Sequence, residues 1–269
     1  IFCVTFFFFH PSLFQFNINL VFCPAMIYFI EFSYNGSAYF GYQIQPNQIS
    51  VQEELEKALS TILREPIKTV GAGRTDTGVH AKKMFAHFET QQNLDENLVH
   101  KLNSFLSENI AIKRIFEVAD DMHARFSATY RTYEYYISLE KNPFSKDSSW
   151  QYWRQKPLNI ALMNEACKIL FEYDDFTSFA KLHTDNKTNI CKIYKAEWEQ
   201  IGHQLKFTIS ADRFLRNMVR AIVGTMVEVG SGKIKPTHLR KIIEDQFRNS
   251  AGVSAPAQGL FLVDVGYEF

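Results

Sequence analysis

The sequence predicts an α+β fold of two similar halves, built on mixed, largely antiparallel sheets, that face one another across a central basic cleft. Three observations lead there. Aromatic and β-branched runs of strand character are interleaved with amphipathic helical stretches, but no strict strand–helix–strand alternation recurs, which argues against an all-parallel sheet. The pattern spans residues 26–140 and returns over 150–269, with a stretch at 141–149 containing Pro143 and three serines between them. Finally, 29 Lys and Arg balance 29 Asp and Glu, so any basic surface must come from where the charges sit, not from their total.

Taken in order, residues 27–34 (IYFIEFSY) read as a strand closed by the turn dipeptide Asn35-Gly36. Ser50 with Glu53 three residues later forms a capping box, in which each side chain satisfies an orphan amide of the first helical turn. The helix that follows keeps Val51, Leu55, Leu59 and Ile62 on one face and stops before Pro66. Residues 67–70 read as a strand entering a glycine-rich loop at Gly71. Leu98, Leu102 and Phe105 mark a second helix, 110–118 a strand, and 129–139 a long aromatic strand. In the second half, 160–171 is helical, and 190–198 pairs with 205–209 through Gly202-His203 as a hairpin. Residues 214–229 form a helix ended by Gly230-Ser231-Gly232, Thr237 caps another, and 260–267 is a closing strand. These elements fit either two sheets or one continuous sheet with helices on one face.

Residues 1–25 stand apart. They contain no Asp, Glu, Lys or Arg, yet hold eight of the 25 Phe. A signal peptide needs a basic leading region, and a membrane span needs about 20 consecutive apolar residues; His10, Pro11, Ser12, Gln15, Asn17 and Asn19 interrupt this run. The expectation is an upstream extension that is not native, with the working protein beginning at Met26. The rest, within a chain that is 46% hydrophobic and 22% charged, has the balance of a folded protein. Four cysteines without a C-x-x-C pair argue against a disulfide framework and for a reducing compartment. His80, His87 and His123 lack H-E-x-x-H spacing, so no metal is expected.

The chemistry concentrates in residues 71–81, GAGRTDTGVHA. Three glycines in eight residues allow tight turns and close approach of a ligand to the backbone. A dinucleotide fingerprint fails because Asp76 stands at the third glycine position, and a phosphate-cradling P-loop fails because no Gly-Lys-Ser/Thr follows. Asp76-Thr77-Gly78 is similar to the D-T-G of aspartic proteases, but those need two carboxylates sharing a proton. Here Arg74 lies two residues away and favours a charged carboxylate, which suits a nucleophile or a charge stabiliser.

GAGRTDTGVHA resembles the active-site motif of the TruA family of tRNA pseudouridine synthases. The resemblance runs from Met26 to the C-terminus and includes YNGSAYFGYQIQ, SVQEELEKAL, HARFSA at 123–128, RTYEY at 131–135, FLRNMVR at 214–220 and APAQGL at 255–260. It implies the pseudouridine synthase fold and an isomerase that detaches uracil from ribose and rejoins it through C5, without cofactor. Asp76 matches the family's nucleophile, Arg74 an arginine that can displace the target base, Tyr133 the active-site tyrosine, and Arg220 the basic partner of the aspartate. Thr77 departs from the usual Ala, adding a hydroxyl beside the nucleophile. The family also implies a homodimer, cytoplasmic localisation, and uridines on the 3′ side of the tRNA anticodon arm as substrate.

Charge placement is compatible with an RNA partner. Residues 206–241 hold eight basic residues against two acidic ones, a local charge of +6. Arg213, Arg216 and Arg220 would line one helix face, with Met218, Ile222 and Met226 on a core-facing stripe. Arginines beside a reactive loop grip phosphates while a base leaves the stack. With Tyr133, they join His80 and Arg125 as the expected substrate contacts. The rival readings are a catalytically inactive RNA-binding module and an aspartic protease.

Overall fold

The computed structural model describes residues 25–153, 155–181 and 188–269. The expectation for residues 1–25 therefore lies, except for Ala25, outside the described residues, as do Cys3 and Cys23. Strand β1 (Met26–Tyr34) leads to helix α1 (Val51–Leu63). Ser50 caps α1 by accepting from the Glu53 amide at 3.3 Å, and Arg64 closes it in the left-handed region. The two-residue β2 (Val70–Gly71) and the long β3 (His80–Thr90) follow, then α2 (Leu98–Phe105), β4 (Ile110–Val118) and β5 (Ala128–Ser138). The second half has β6 (Trp150–Gln151), α3 (Ile160–Ile169), the hairpin β7 (Ile193–Ile201) and β8 (Gln204–Ala211), α4 (Met218–Gly230), α5 (His238–Glu244) and β9 (Leu260–Tyr267).

One mixed sheet runs β4-β1-β3-β9-β5-β8-β7, with β2 on β3 and β6 on β5. This decides between the two arrangements left open: the α+β fold has one continuous sheet. The last strand sits at its middle, parallel to β3 (His80 opposite Phe261) and antiparallel to β5 (Tyr135 opposite Leu260). Two cores form. One gathers Phe29, Phe32, Leu55, Leu59, Phe85 and Leu102; the other gathers Tyr135, Phe176, Phe179, Phe207, Met218, Ile222 and Met226. Leu262 and Val265 of β9 belong to the first core, but Leu260 belongs to the second. The two halves thus share a closing strand.

Four details differ from expectation. The strand β3 was not anticipated. Residues 67–70 yield only the two-residue β2. Thr237 stands at the start of α5, but its side chain makes no capping bond. The helix expected over 214–229 begins only at Met218, because Asn217 turns to φ +67 and its amide side chain donates to Ser254 Oγ at 2.6 Å.

On β3, His87 is buried and its Nδ1 accepts from the Ala124 amide at 3.1 Å. Burial, and then the neighbouring His123, pull its pKa down to about 4. The native state therefore resists protonation that the unfolded chain accepts near pH 6.5. The stabilising contribution of His87 is full above pH 6.5 and is lost as the pH falls toward 4. Thermal unfolding is expected to show a drop of about 5 °C over that window, which His87→Gln flattens.

Candidate active site

The Asp76 loop joins β2 to β3 and is held at both ends. The Ala72 amide donates to the Phe85 carbonyl at 2.8 Å, and the Val79 amide to the Asp76 carbonyl at 3.1 Å, with Gly78 at φ +78. The segment after β1 packs directly against it. Tyr42 N donates to Thr75 O at 3.4 Å, and the Tyr34 hydroxyl bonds Thr75 Oγ1 at 2.8 Å. Such closeness needs glycine. A Cβ on Gly36 would lie 2.0 Å from Val79 O, and one on Gly41, at φ +91, would lie 2.5 Å from Thr75 O. The glycines of YNGSAYFGY are therefore spacers for the reactive loop.

Two arginines converge on the Asp76 carboxylate. Arg220 Nη1 donates to Oδ2 at 3.2 Å, and Arg216 Nε lies 3.7 Å from Oδ1. Arg220 is itself aimed: its Nε donates to the Ala255 carbonyl at 2.7 Å, and the Ala255 amide returns a bond to the Arg220 carbonyl at 2.9 Å. The Asp76 and Arg220 side chains are 23% and 21% exposed, against 51% for Arg216, so Arg220 is the better-shielded partner. They open onto a cleft of about 1010 Å³. Its lining carries Lys181, Arg216, Arg220 and Arg248, and Asp76 is its one acidic side chain among the described residues. A bare carboxylate in such a basic cleft can act as a nucleophile while the surrounding cations hold a polyanion.

The other expected residues divide. Arg74 is exposed on the loop and is not the carboxylate's partner. Tyr133, on β5, meets Phe214 edge-on at 5.2 Å and packs against both cores. Burial pushes its phenol up to about 12 against the opposing pull of Arg131, with a smaller upward push from Asp76, so it stays protonated at neutral pH. Thr77 is exposed at the cleft. The single arginine face is corrected by the late start of α4: Arg216 and Arg220 reach Asp76, but Arg213 donates to the Thr188 carbonyl at 3.2 Å and does not line the cleft. Nor do Lys233 and Arg240, which pair with Glu228 and Glu172.

His80 is corrected too. It is 3% exposed, accepts from the Gly36 amide through Nδ1 at 3.1 Å, and meets the Gln258 carbonyl through Nε2 at 3.2 Å. Burial lowers its pKa, so the neutral ring with Nε2 protonated joins the β1 turn to the segment before β9 and has no nitrogen left for a substrate. Arg125 is exposed on the loop before β5 and is not one of the residues lining the cleft.

Sequence reasoning missed three residues. Arg248 and Lys181 line the cleft from segments with no motif. Arg131 was quoted only inside a strand motif, yet its guanidinium donates to four carbonyls: Ala72 at 3.1 Å, Arg125 at 2.6 Å, and Ala128 and Asp212 at 2.9 Å each. It ties the Asp76 loop to the segment entering α4. The only signal was a charged residue on an otherwise aromatic strand.

The chain is similar to known proteins over most of its length. A family model described as tRNA pseudouridine synthase matches residues 31–127 and 166–268. The chain is 55% identical over 243 residues to tRNA pseudouridine synthase A of Bacteroides fragilis, covering 89% of this chain and 96% of that protein. It is 40% identical over 240 residues to tRNA pseudouridine synthase A of Bacillus subtilis, covering 88% and 97%. With a match of that depth across 89% of its length, the chain belongs to the tRNA pseudouridine synthase family.

Proposed function

We propose that this chain isomerises uridine to pseudouridine in tRNA, with Asp76 as the nucleophile and no cofactor. The observation that supports it most is the Asp76 carboxylate, gripped by Arg220 and Arg216 in a cleft otherwise lined by cations. The reaction breaks the bond from C1′ to N1 and forms one from C1′ to C5; the C5 proton passes to solvent and N1 gains one. Attack on the sugar or on the base both require the carboxylate form, and its two oxygens each face a guanidinium, at 3.7 and 3.2 Å. Arg74, exposed on the same loop, is suited to displacing the target base, and Arg216 to holding phosphate.

The family resemblance supports uridines of the anticodon arm as substrate and a homodimer as the working form. A tRNA substrate supports the cytoplasm. Among the described residues no helix is long and apolar enough to cross a membrane. An RNA-binding module without turnover has no use for a carboxylate that repels phosphate, and a protease would need a second acid beside Asp76. Tritium release from tRNA labelled at C5 of uridine tests the reading, because forming the new carbon–carbon bond expels that hydrogen. No release from labelled tRNA would sink it.

Tyr133 supplies a finer test. Its hydroxyl has no hydrogen-bond partner among the described residues, whereas its ring is locked against Phe214. Tyr133→Phe should keep tRNA affinity and lower kcat by about 10²- to 10³-fold, as expected for losing a proton-transfer group. A large rise in Kd with unchanged kcat would contradict that role.

A further inference from the structure

We infer that Phe126, flanked by Arg125, is a nucleobase-stacking platform on the rim beside the Asp76 loop, taking an unpaired base of the bound RNA next to the reacting nucleotide. The inference rests on the tRNA reading above. Phe126 is 76% exposed, on the loop between β4 and β5. A lone exposed apolar side chain needs no explanation in general. This one is unusual because its backbone is locked.

Within five residues, His123 N donates to Ser127 Oγ at 2.9 Å and Ser127 N to His123 O at 2.9 Å. His123 Nδ1 accepts from the amides of both Arg125 and Phe126, at 3.0 and 3.2 Å. The His123 ring backs Phe126 at 4.4 Å between centroids, and is itself set edge-on to buried His87 at 4.6 Å. The phenyl ring is thus supported on one side and open on the other. Holding an aromatic ring rigid and wet is an arrangement that suits a ligand with a flat face.

Arg131 sets where this ring stands relative to the chemistry. One nitrogen, Nη2, donates to the Arg125 carbonyl at 2.6 Å and to the Ala72 carbonyl at 3.1 Å. The platform loop and the Asp76 loop are therefore backbone neighbours. The surrounding charge selects the ligand class. Arg125 Cζ lies 5.6 Å from the Phe126 centroid, and Arg74 is exposed on the adjoining loop. Neither arginine forms an ion pair among the described residues. An open aromatic face beside one uncompensated guanidinium, with a second exposed on the adjoining loop, matches a base and its phosphates. It does not match an apolar protein partner, for which such charges would have to be desolvated without compensation. A nucleotide pulled from its stack leaves a neighbour unstacked, and this ring can receive it.

The test compares Phe126→Ala, Phe126→Leu and Phe126→Trp with the parent, measuring tRNA Kd, the kcat and KM of C5 tritium release, thermal unfolding and oligomeric state. Ala and Leu are expected to raise Kd and KM by about 10-fold with kcat within about twofold, and Trp to restore parental values. Leu keeps apolar bulk but has no π face, so a parental Kd in Phe126→Leu overturns stacking. An unchanged Kd in Phe126→Ala, a fall confined to kcat, or an altered oligomeric state also overturns it, the last by making the ring a contact between copies. Because the ring is exposed, the unfolding temperature should not move. The two readings fail separately: absence of tritium release by the parent sinks the activity but leaves the Kd series to be judged, and a flat Kd series sinks only the platform.

Discussion

Asp76→Asn should bind tRNA at least as tightly as the parent and release tritium at least about 10⁴-fold more slowly, the scale set by removing a nucleophile. Asparagine has nearly the same volume, so the loop held by the Ala72 and Val79 hydrogen bonds has no steric reason to move. What changes is charge. The carboxylate is the one acidic side chain among the described residues lining the cleft, which otherwise presents Lys181, Arg216, Arg220 and Arg248. Removing it makes the cleft more attractive to phosphate, while the attacking oxygen is replaced by a weakly nucleophilic amide. Filter binding and single-turnover tritium release on the same preparation check both halves. Product formation above about one part in a hundred of the parental rate, free of contaminating enzyme, would refute the nucleophile assignment.

Arg220→Ala should cost about 30- to 300-fold in kcat, and Arg216→Ala less than about tenfold. The difference follows from geometry. Arg220 lies 3.2 Å from the carboxylate, is mostly shielded, and is fixed by the Ala255 carbonyl at 2.7 Å. Arg216 lies 3.7 Å away and is half exposed, so water screens it and its side chain must be ordered at each encounter. Arg220→Lys should rescue only partly, because a single ammonium nitrogen cannot occupy both the Nε position at Ala255 and the Nη1 position at Asp76. Raising ionic strength should weaken tRNA binding more in the parent than in Arg216→Ala, since a phosphate contact is already missing in the variant. Equal losses of kcat for the two alanine variants would mean that Arg220 is not the privileged partner.

Local signals in the chain went a long way. Ser50 caps α1, and the Gly202 hairpin joins β7 to β8. The closing strand covers 260–267, the bounds expected from the sequence. Met218, Ile222 and Met226 lie fully buried, as their helical spacing requires. The strand β3 escaped notice because it is central and flanked on both sides. Most of its residues are buried whichever way they point, so no alternation survives, and Lys82-Lys83 interrupts the apolar run. The start of α4 was misread because Asn217 leaves helical geometry to donate to Ser254, 37 residues further along. No short window of sequence contains that interaction.

The amino-acid sequence by itself determined most element types, β3 excepted, the glycine-rich loop and the presence on it of an aspartate beside basic neighbours, since each depends on residues within a few positions of one another. The resemblance already pairs Arg220 with that aspartate; only the tertiary structure decided that Arg216 joins it while Arg74 does not, that His80 is a buried tie, and that Arg131 joins the loops on which Asp76 and Phe126 stand. These pairings span separations from six to 178 residues. Charge and hydrogen-bonding capacity are written in composition, but which donor meets which acceptor is settled when β9 inserts between β3 and β5 and brings the two halves onto one sheet.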